Sequence, residues 1–169
     1  MGFWDKLFGS EPKREPSPPP PIPQKPKQTL PASDIPYGLA AKPMPQGEDL
    51  NVLLPRQVGP FTRDPMQPVA PGAPIYGNYQ AGGRTIFVEL GIGANATESE
   101  ASFATAKDES LSDPPDPSVV LIEQPDLCFF RTVGAEGAFA AWTRGRYYFS
   151  AHAKGGENVL DEFIRAFPY

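Results

Sequence analysis

Eighteen of the 23 prolines in this chain fall within residues 1–75 and only five within 76–169. That imbalance limits the fold more than any other feature. Proline has no amide hydrogen to donate, and its ring clashes with the preceding turn, so long helices are excluded from the first 75 residues. With the proline-dense stretch set aside, about 95–115 residues remain, enough for one small domain and too few for a large enzyme core.

Composition divides the chain into residues 1–10, 11–50 and 51–169. In the first, Phe3, Trp4, Leu7 and Phe8 recur at i, i+1, i+4 and i+5, one face of a helix, with Asp5 and Lys6 on the other side. Two helical turns do not stand alone in water. Such a foot needs a surface, either the headgroup boundary of a membrane or a groove on a protein partner. The second segment carries twelve prolines between positions 12 and 45. It favours extended polyproline II and buries too little apolar surface to order itself. Lys13-Arg14-Glu15-Pro16-Ser17-Pro18-Pro19 fits a basic-x-x-Pro-x-x-Pro ligand pattern, but that pattern arises easily in any proline-rich stretch, and a spacer is the plainer role.

Residues 51–169 read as an α+β domain: an antiparallel meander of about six strands with two packed helices. Leu53 to Phe61 looks like an opening edge strand, interrupted by Pro55 and Pro60. Ile75–Tyr79 and Thr85–Leu90 are strand-like and joined by Ala81-Gly82-Gly83, a hairpin signal. Thr97-Glu98-Ser99-Glu100 matches a capping box opening a helix to about Glu109, with Ala101, Phe103 and Ala104 offered to the core. Four short strands follow, at Val119–Glu123, Cys128–Val133, Ala138–Thr143 and Arg146–Ala151, too closely spaced for anything but hairpins. A helix from about Glu157 to Phe167 closes the chain, its apolar stripe formed by Val159, Leu160, Phe163, Ile164 and Phe167.

Charge and reactive residues exclude several functions. The net charge of −5 lies entirely on residues 51–169, where nine Lys/Arg face fourteen Asp/Glu. An acidic domain without a basic cluster is a poor ligand for phosphates, so no nucleic-acid partner is expected. The single cysteine, Cys128, forms no intrachain disulfide and reads as a small buried hydrophobe. One histidine, His152, cannot build a His-rich metal site. Ser150 and His152 share a strand face, but no acid in that strand orients the imidazole. No metal, no cofactor and no enzymatic activity are expected. Neither a membrane span nor a signal peptide is visible, because Asp5 and Lys6 interrupt the N-terminal apolar stretch. The expected location is the cytoplasm, with the inner face of a membrane as a peripheral alternative.

Two features remain as candidate binding surfaces. Gly91-Ile92-Gly93-Ala94-Asn95-Ala96 follows a strand and precedes a helix, the context of a dinucleotide fingerprint. The run of hairpins after it is the wrong architecture for that fold, so the glycines more simply shape a turn. Aromatic residues also crowd the last strands, on both faces, and Trp142 and Tyr148 with Arg144 and Arg146 at the rim form a candidate surface.

The run Ala141-Trp142-Thr143-Arg144-Gly145-Arg146-Tyr147-Tyr148-Phe149-Ser150, the ending Ala166-Phe167-Pro168-Tyr169 and Leu54-Pro55-Arg56-Gln57-Val58-Gly59-Pro60-Phe61 resemble an uncharacterised family of small bacterial α+β domains. The strand order is similar to that of the PsbP-like sandwich. The opening MGFWDKLFG resembles the amphipathic foot of several bacterial proteins. These resemblances imply a bacterial, non-enzymatic domain and bring no catalytic motif. The expectation is therefore an accessory or adaptor protein, tethered through its N-terminal segment to a membrane or a protein partner. The alternative is a small-molecule or nucleotide-binding domain using the aromatic face and the Gly91–Ala96 turn.

Overall fold

Strand alternation and tight turns set the architecture. The structure, a computed structural model, describes residues 31, 34–67, 70, 73–110, 120–135 and 137–169. Phe3, Trp4, Leu7, Phe8, the prolines up to position 30 and the loop around Ser112–Pro117 lie outside them. Within the described residues one antiparallel sheet holds eight strands in the order β1-β2-β3-β4-β8-β7-β6-β5. They are β1 (Gln57–Val58), β2 (Phe61–Arg63), β3 (Ile75–Ala81), β4 (Arg84–Ile92), β5 (Val120–Gln124), β6 (Leu127–Gly134), β7 (Gly137–Arg144) and β8 (Tyr147–Ala153). Three helices accompany them: α1 (Leu50–Leu53), α2 (Ala96–Ser110) and α3 (Glu157–Ala166).

The chain makes two four-strand meanders, each followed by a helix. They join where β4 runs antiparallel to β8 over seven paired positions, from Ile86↔Ala153 to Ile92↔Tyr147. The β3–β4 hairpin turns on Gly82 and Gly83, whose φ of 54° and 80° suit the mirror-image turns that match strand twist. At the β5–β6 turn Pro125 is followed by Asp126 at φ 61°, the positive-φ position after proline in a type II turn.

The expected α+β meander with packed helices is present, with local differences. The stretch expected as one opening edge strand, Leu53 to Phe61, is broken up. Leu53 ends the helical turn α1, whose start is capped by the Asp49 carboxylate accepting from the Asn51 amide at 2.9 Å, and only Gln57, Val58 and Phe61 are in strands. These belong to the short β1–β2 hairpin. The cap of α2 lies two residues earlier than Thr97. Asn95 Oδ1 accepts from the Glu98 amide (3.2 Å) and Glu98 Oε2 accepts from the Ala94 amide (2.8 Å), a reciprocal capping arrangement. With that phase α2 buries Ser99 and Phe103, while Ala101 and Ala104 point to solvent. Helix α3 stops at Ala166, one residue short of expectation. Phe167 precedes Pro168, which disfavours helical backbone before it, and Phe167 is extended at φ −65°, ψ 136°.

The helices cover opposite faces of the sheet. On one, α3 lays Val159, Leu160, Phe163 and Ile164 over β4, β7 and β8. There the Trp142 and Phe149 rings stack at 5.5 Å and the Phe167 ring meets both edge-on. Phe163 meets Tyr79 at 5.0 Å and Phe61 at 5.5 Å. On the other face α2 presses Phe103 against Phe130 (5.4 Å), with Cys128, Ala141 and Tyr148 around them. Successive strand residues point to opposite faces, so both aromatic sides of β7 and β8 are under a helix.

Residues 34–49, expected as part of an extended spacer, are packed against the domain. Ile35 and Leu39 enter the main core, the first just before and the second within a 3-10 segment, Pro36–Ala41. Tyr37 Oη donates to Asp161 (2.8 Å), and Tyr147 Oη donates to the Gly47 carbonyl (2.8 Å). Lys42 Nζ donates to the carbonyls of Ile164 and of Phe167 (2.6 Å to the latter). A cation is well placed at these last carbonyls of α3, the negative end of the helix dipole. Two apolar anchors and several bonds to distant residues overcome the local extended preference of prolines 36, 43 and 45.

Candidate functional site

The face under α2 is only partly covered, and the gap is a groove of about 790 Å³ between α2 and the last residues of β4. Strand alternation builds its floor: Ile86, Val88 and Leu90 enter the α3 core, which turns Glu89 and Gly91 toward α2. Gly91 pairs with Tyr148 on β8. A Cβ on Gly91 would lie 3.4 Å from the Tyr148 ring, so the bare backbone lets the phenol lie flat along the groove. Ser99, Ser102 and Glu109 of α2 line the opposite wall, and Glu48 and Arg146 meet at its mouth with Nη2 to Oε1 at 3.0 Å.

The groove has a distinct electrostatic character. Ser150 lies opposite Glu89 in the β4–β8 register and on the same face of β8 as Tyr148. Burial pushes the Glu89 carboxyl above its ordinary value; the Ser150 hydroxyl opposes that shift, and the charge of Glu109 adds to it. The Tyr148 phenol is pushed up to about 12, first by burial and then by the charges of Glu89 and Glu109. Two carboxylates and a phenol thus face one cavity, each disfavouring further negative charge.

Gly91 to Ala94 of the Gly91–Ala96 turn line this groove, and the Gly93 and Ala94 amides are already engaged. The Gly93 amide donates to the Arg146 carbonyl (2.9 Å), and the Ala94 and Glu98 amides serve the α2 cap. A Cβ on Gly93 would come within 2.9 Å of Glu98 Cβ, so this glycine is needed for the turn itself. Ser99 Oγ donates to the Gly145 carbonyl (2.6 Å), fastening the start of α2 to the β7–β8 turn.

The four residues expected to form an aromatic surface do not form one. Trp142 is fully buried under α3, whereas Tyr148 faces α2. The two-residue turn pairs Arg144 with Tyr147, which pairs Trp142 with Phe149 and Thr143 with Tyr148; Trp142 and Tyr148 are therefore on opposite faces. Arg144 is buried on the α3 side, where Nη2 donates to the Lys42 carbonyl (2.6 Å). Of the four, Tyr148 and Arg146 line the groove. Sequence reading did not single out Glu89 or Glu109 as site residues, and it set Ser150 aside for want of an acid in its own strand. The signal for Glu89 was present, since it is the acid alternating with Ile86, Val88 and Leu90. Ser150 and His152 do share a face, but the partner of Ser150 is the acid across the strand. Among the described residues no group of three or more His, Cys, Asp or Glu is arranged to hold a metal ion, and no helix is long and apolar enough to cross a membrane.

No family model matches the chain, and no curated protein matches it. A solved structure, that of a GTP binding regulator from Thermotoga maritima, is similar at 14% identity and a TM-score of 0.46, over 66% of this chain and 81% of that one. The likeness is too distant to inform the fold or the ligand.

Proposed function

We propose that the domain is a non-catalytic binding module and that its groove takes a small cationic or hydroxylated ligand, of which a short aliphatic polyamine is the simplest representative. The observation that carries this reading is the convergence of Glu89, Glu109 and Tyr148 on one cavity beside α2. A cation between them would favour the ionised Glu89 carboxylate and so offset the burial and repulsion that hold its carboxyl high. A phosphate would meet the same charges and would find the Gly93, Ala94 and Glu98 amides already bonded.

Thermal melting of the full chain with putrescine, spermidine, ATP and GTP tests the reading. Stabilisation by the amines, lost in Glu89→Gln, is the expected result. Stabilisation by the nucleotides alone would replace it with the nucleotide reading. The same variant gives a ligand-free check. The folded Glu89 carboxyl binds its proton more tightly than the unfolded one, so wild-type stability falls as pH rises above the ordinary 4.5. The Glu89→Gln variant should lose that part of the slope in denaturant titrations at successive pH values.

A second reading, the tethered accessory protein, is favoured by the anchoring of residues 34–49. A spacer works as a tether only if its inner end is fixed, and Tyr37, Lys42, Arg144 and Tyr147 supply that fixation. Deleting residues 2–9, which removes Phe3, Trp4, Leu7 and Phe8, should redistribute the protein on cell fractionation. Unchanged distribution and unchanged co-purifying partners would end this reading.

A further inference from the structure

The α2 groove is acidic along its floor and carries a guanidinium at its mouth. Glu89 lies opposite Ser150 and Ile92 opposite Tyr147, so Arg146 is four residues along the chain from the Glu89 level. At roughly 3.3 Å per residue the two levels are about 13 Å apart. Midway between them Tyr148, paired with Gly91, lines the floor.

The partners of the Glu48–Arg146 ion pair are held very differently. Arg146 is fixed independently of Glu48. Its guanidinium lies 5.3 Å from the centre of the Tyr147 ring, Nη1 reaches the Gly93 carbonyl at 3.5 Å, and its own carbonyl accepts from the Gly93 amide at 2.9 Å. The Glu48 side chain is 69% exposed, and among the described residues no bond besides this pair restrains it. Exposed ion pairs contribute little to stability, so a competing carboxylate displaces Glu48 at small cost.

We propose that the ligand of this groove is amphoteric, a linear ω-amino acid whose ammonium lies beside Glu89 and whose carboxylate replaces that of Glu48 on Arg146. The inference rests on the cation reading of the groove and adds the other end of the ligand. A guanidinium fork matches the geometry of a carboxylate, and exchanging one carboxylate for another leaves the charge at the mouth unchanged. The second ammonium of a long diamine would instead have to draw Glu48 away, leaving Arg146 without a counter-charge. Length follows from the same geometry. Two charge-assisted bonds of about 2.8 Å each, taken from about 13 Å, leave roughly 7 Å for the ligand. The six bonds from nitrogen to carboxyl carbon in ε-aminocaproate span about 7 Å, at roughly 1.2 Å per bond of an extended chain. Its methylenes would lie along the Tyr148 ring.

Calorimetric titration of the full chain with ε-aminocaproate, hexylamine and hexamethylenediamine tests the two ends separately. The amino acid is expected to bind about fivefold more tightly than hexylamine, less than the tenfold or more of a buried charge-assisted bond because the mouth is open. Arg146→Gln should abolish that ratio. Glu48→Gln should raise it, by removing the internal competitor. Binding of either amine as tight as that of the amino acid, or a ratio indifferent to both substitutions, would overturn the proposal and leave the cation reading standing. Failure of all three compounds to bind would overturn both.

Discussion

The two faces of the sheet use the same aromatic vocabulary to opposite ends. Under α3, Trp142, Phe149, Phe163 and Phe167 interlock, and residues 34–49 are strapped over the end of the helix by Lys42 and Arg144. Under α2, one ring, Phe103, fills the space against Phe130, and the rest of the face holds a polar groove and the half-exposed rings of Tyr76 and Phe87. The difference follows from the helices. Helix α3 has four apolar residues on one side, whereas α2 carries a single large one among alanines, serines and acids. A closed face stores stability; an open one is free to bind.

Substitutions of one residue type on each face sharpen that contrast. The largest effect belongs to Phe163→Ala, because the ring is fully buried against Tyr79, Phe61 and Phe167. Equilibrium denaturation should show a loss of about 3–5 kcal/mol. Lys42→Met should cost about 1.5–3 kcal/mol, the net value of a hydrogen bond from a charged donor, and it also carries a pH signature. Burial, with help from Arg144, lowers the amine from 10.5 to about 8. The unfolded chain therefore holds more protons between those values, and wild-type stability should rise as pH increases from about 8 to 10.5. The variant should lose this contribution. Phe87→Ala should change stability by less than about 0.5 kcal/mol, as for other surface positions. A loss comparable to that of Phe163→Ala would mean that the α2 face is as closed as the other.

Much of the fold could be read in the sequence because its signals were local. The β3–β4 hairpin follows from two glycines between alternating strands, and α3 follows from its stripe at Val159, Leu160, Phe163 and Ile164. What escaped depended on partners distant in the chain. Nothing near Lys42 announces that its amine will meet the last carbonyls of α3, more than 120 residues away. Ile35 and Leu39 look like stray apolar residues until the core they enter is formed. Turn geometry explains the misjudged surface: a two-residue β7–β8 connection fixes the parity that separates Trp142 from Tyr148. The groove lay midway between these cases. Its glycines drew notice for a phosphate-binding role, while its acids were visible only as the polar half of an alternation.

The β4–β8 pairing also has a consequence in time. From Ile92 to Tyr147 is 147 − 92 = 55 residues, which a ribosome takes about 3–11 s to add at roughly 5–20 residues per second. During that interval β4 has a partner on one side only and stands as a nascent edge, open to pairing with neighbouring chains. A charged residue in the middle of such a strand is the usual protection, and in β4 that residue is Glu89. The carboxylate at the floor of the groove in the finished protein guards the unfinished one.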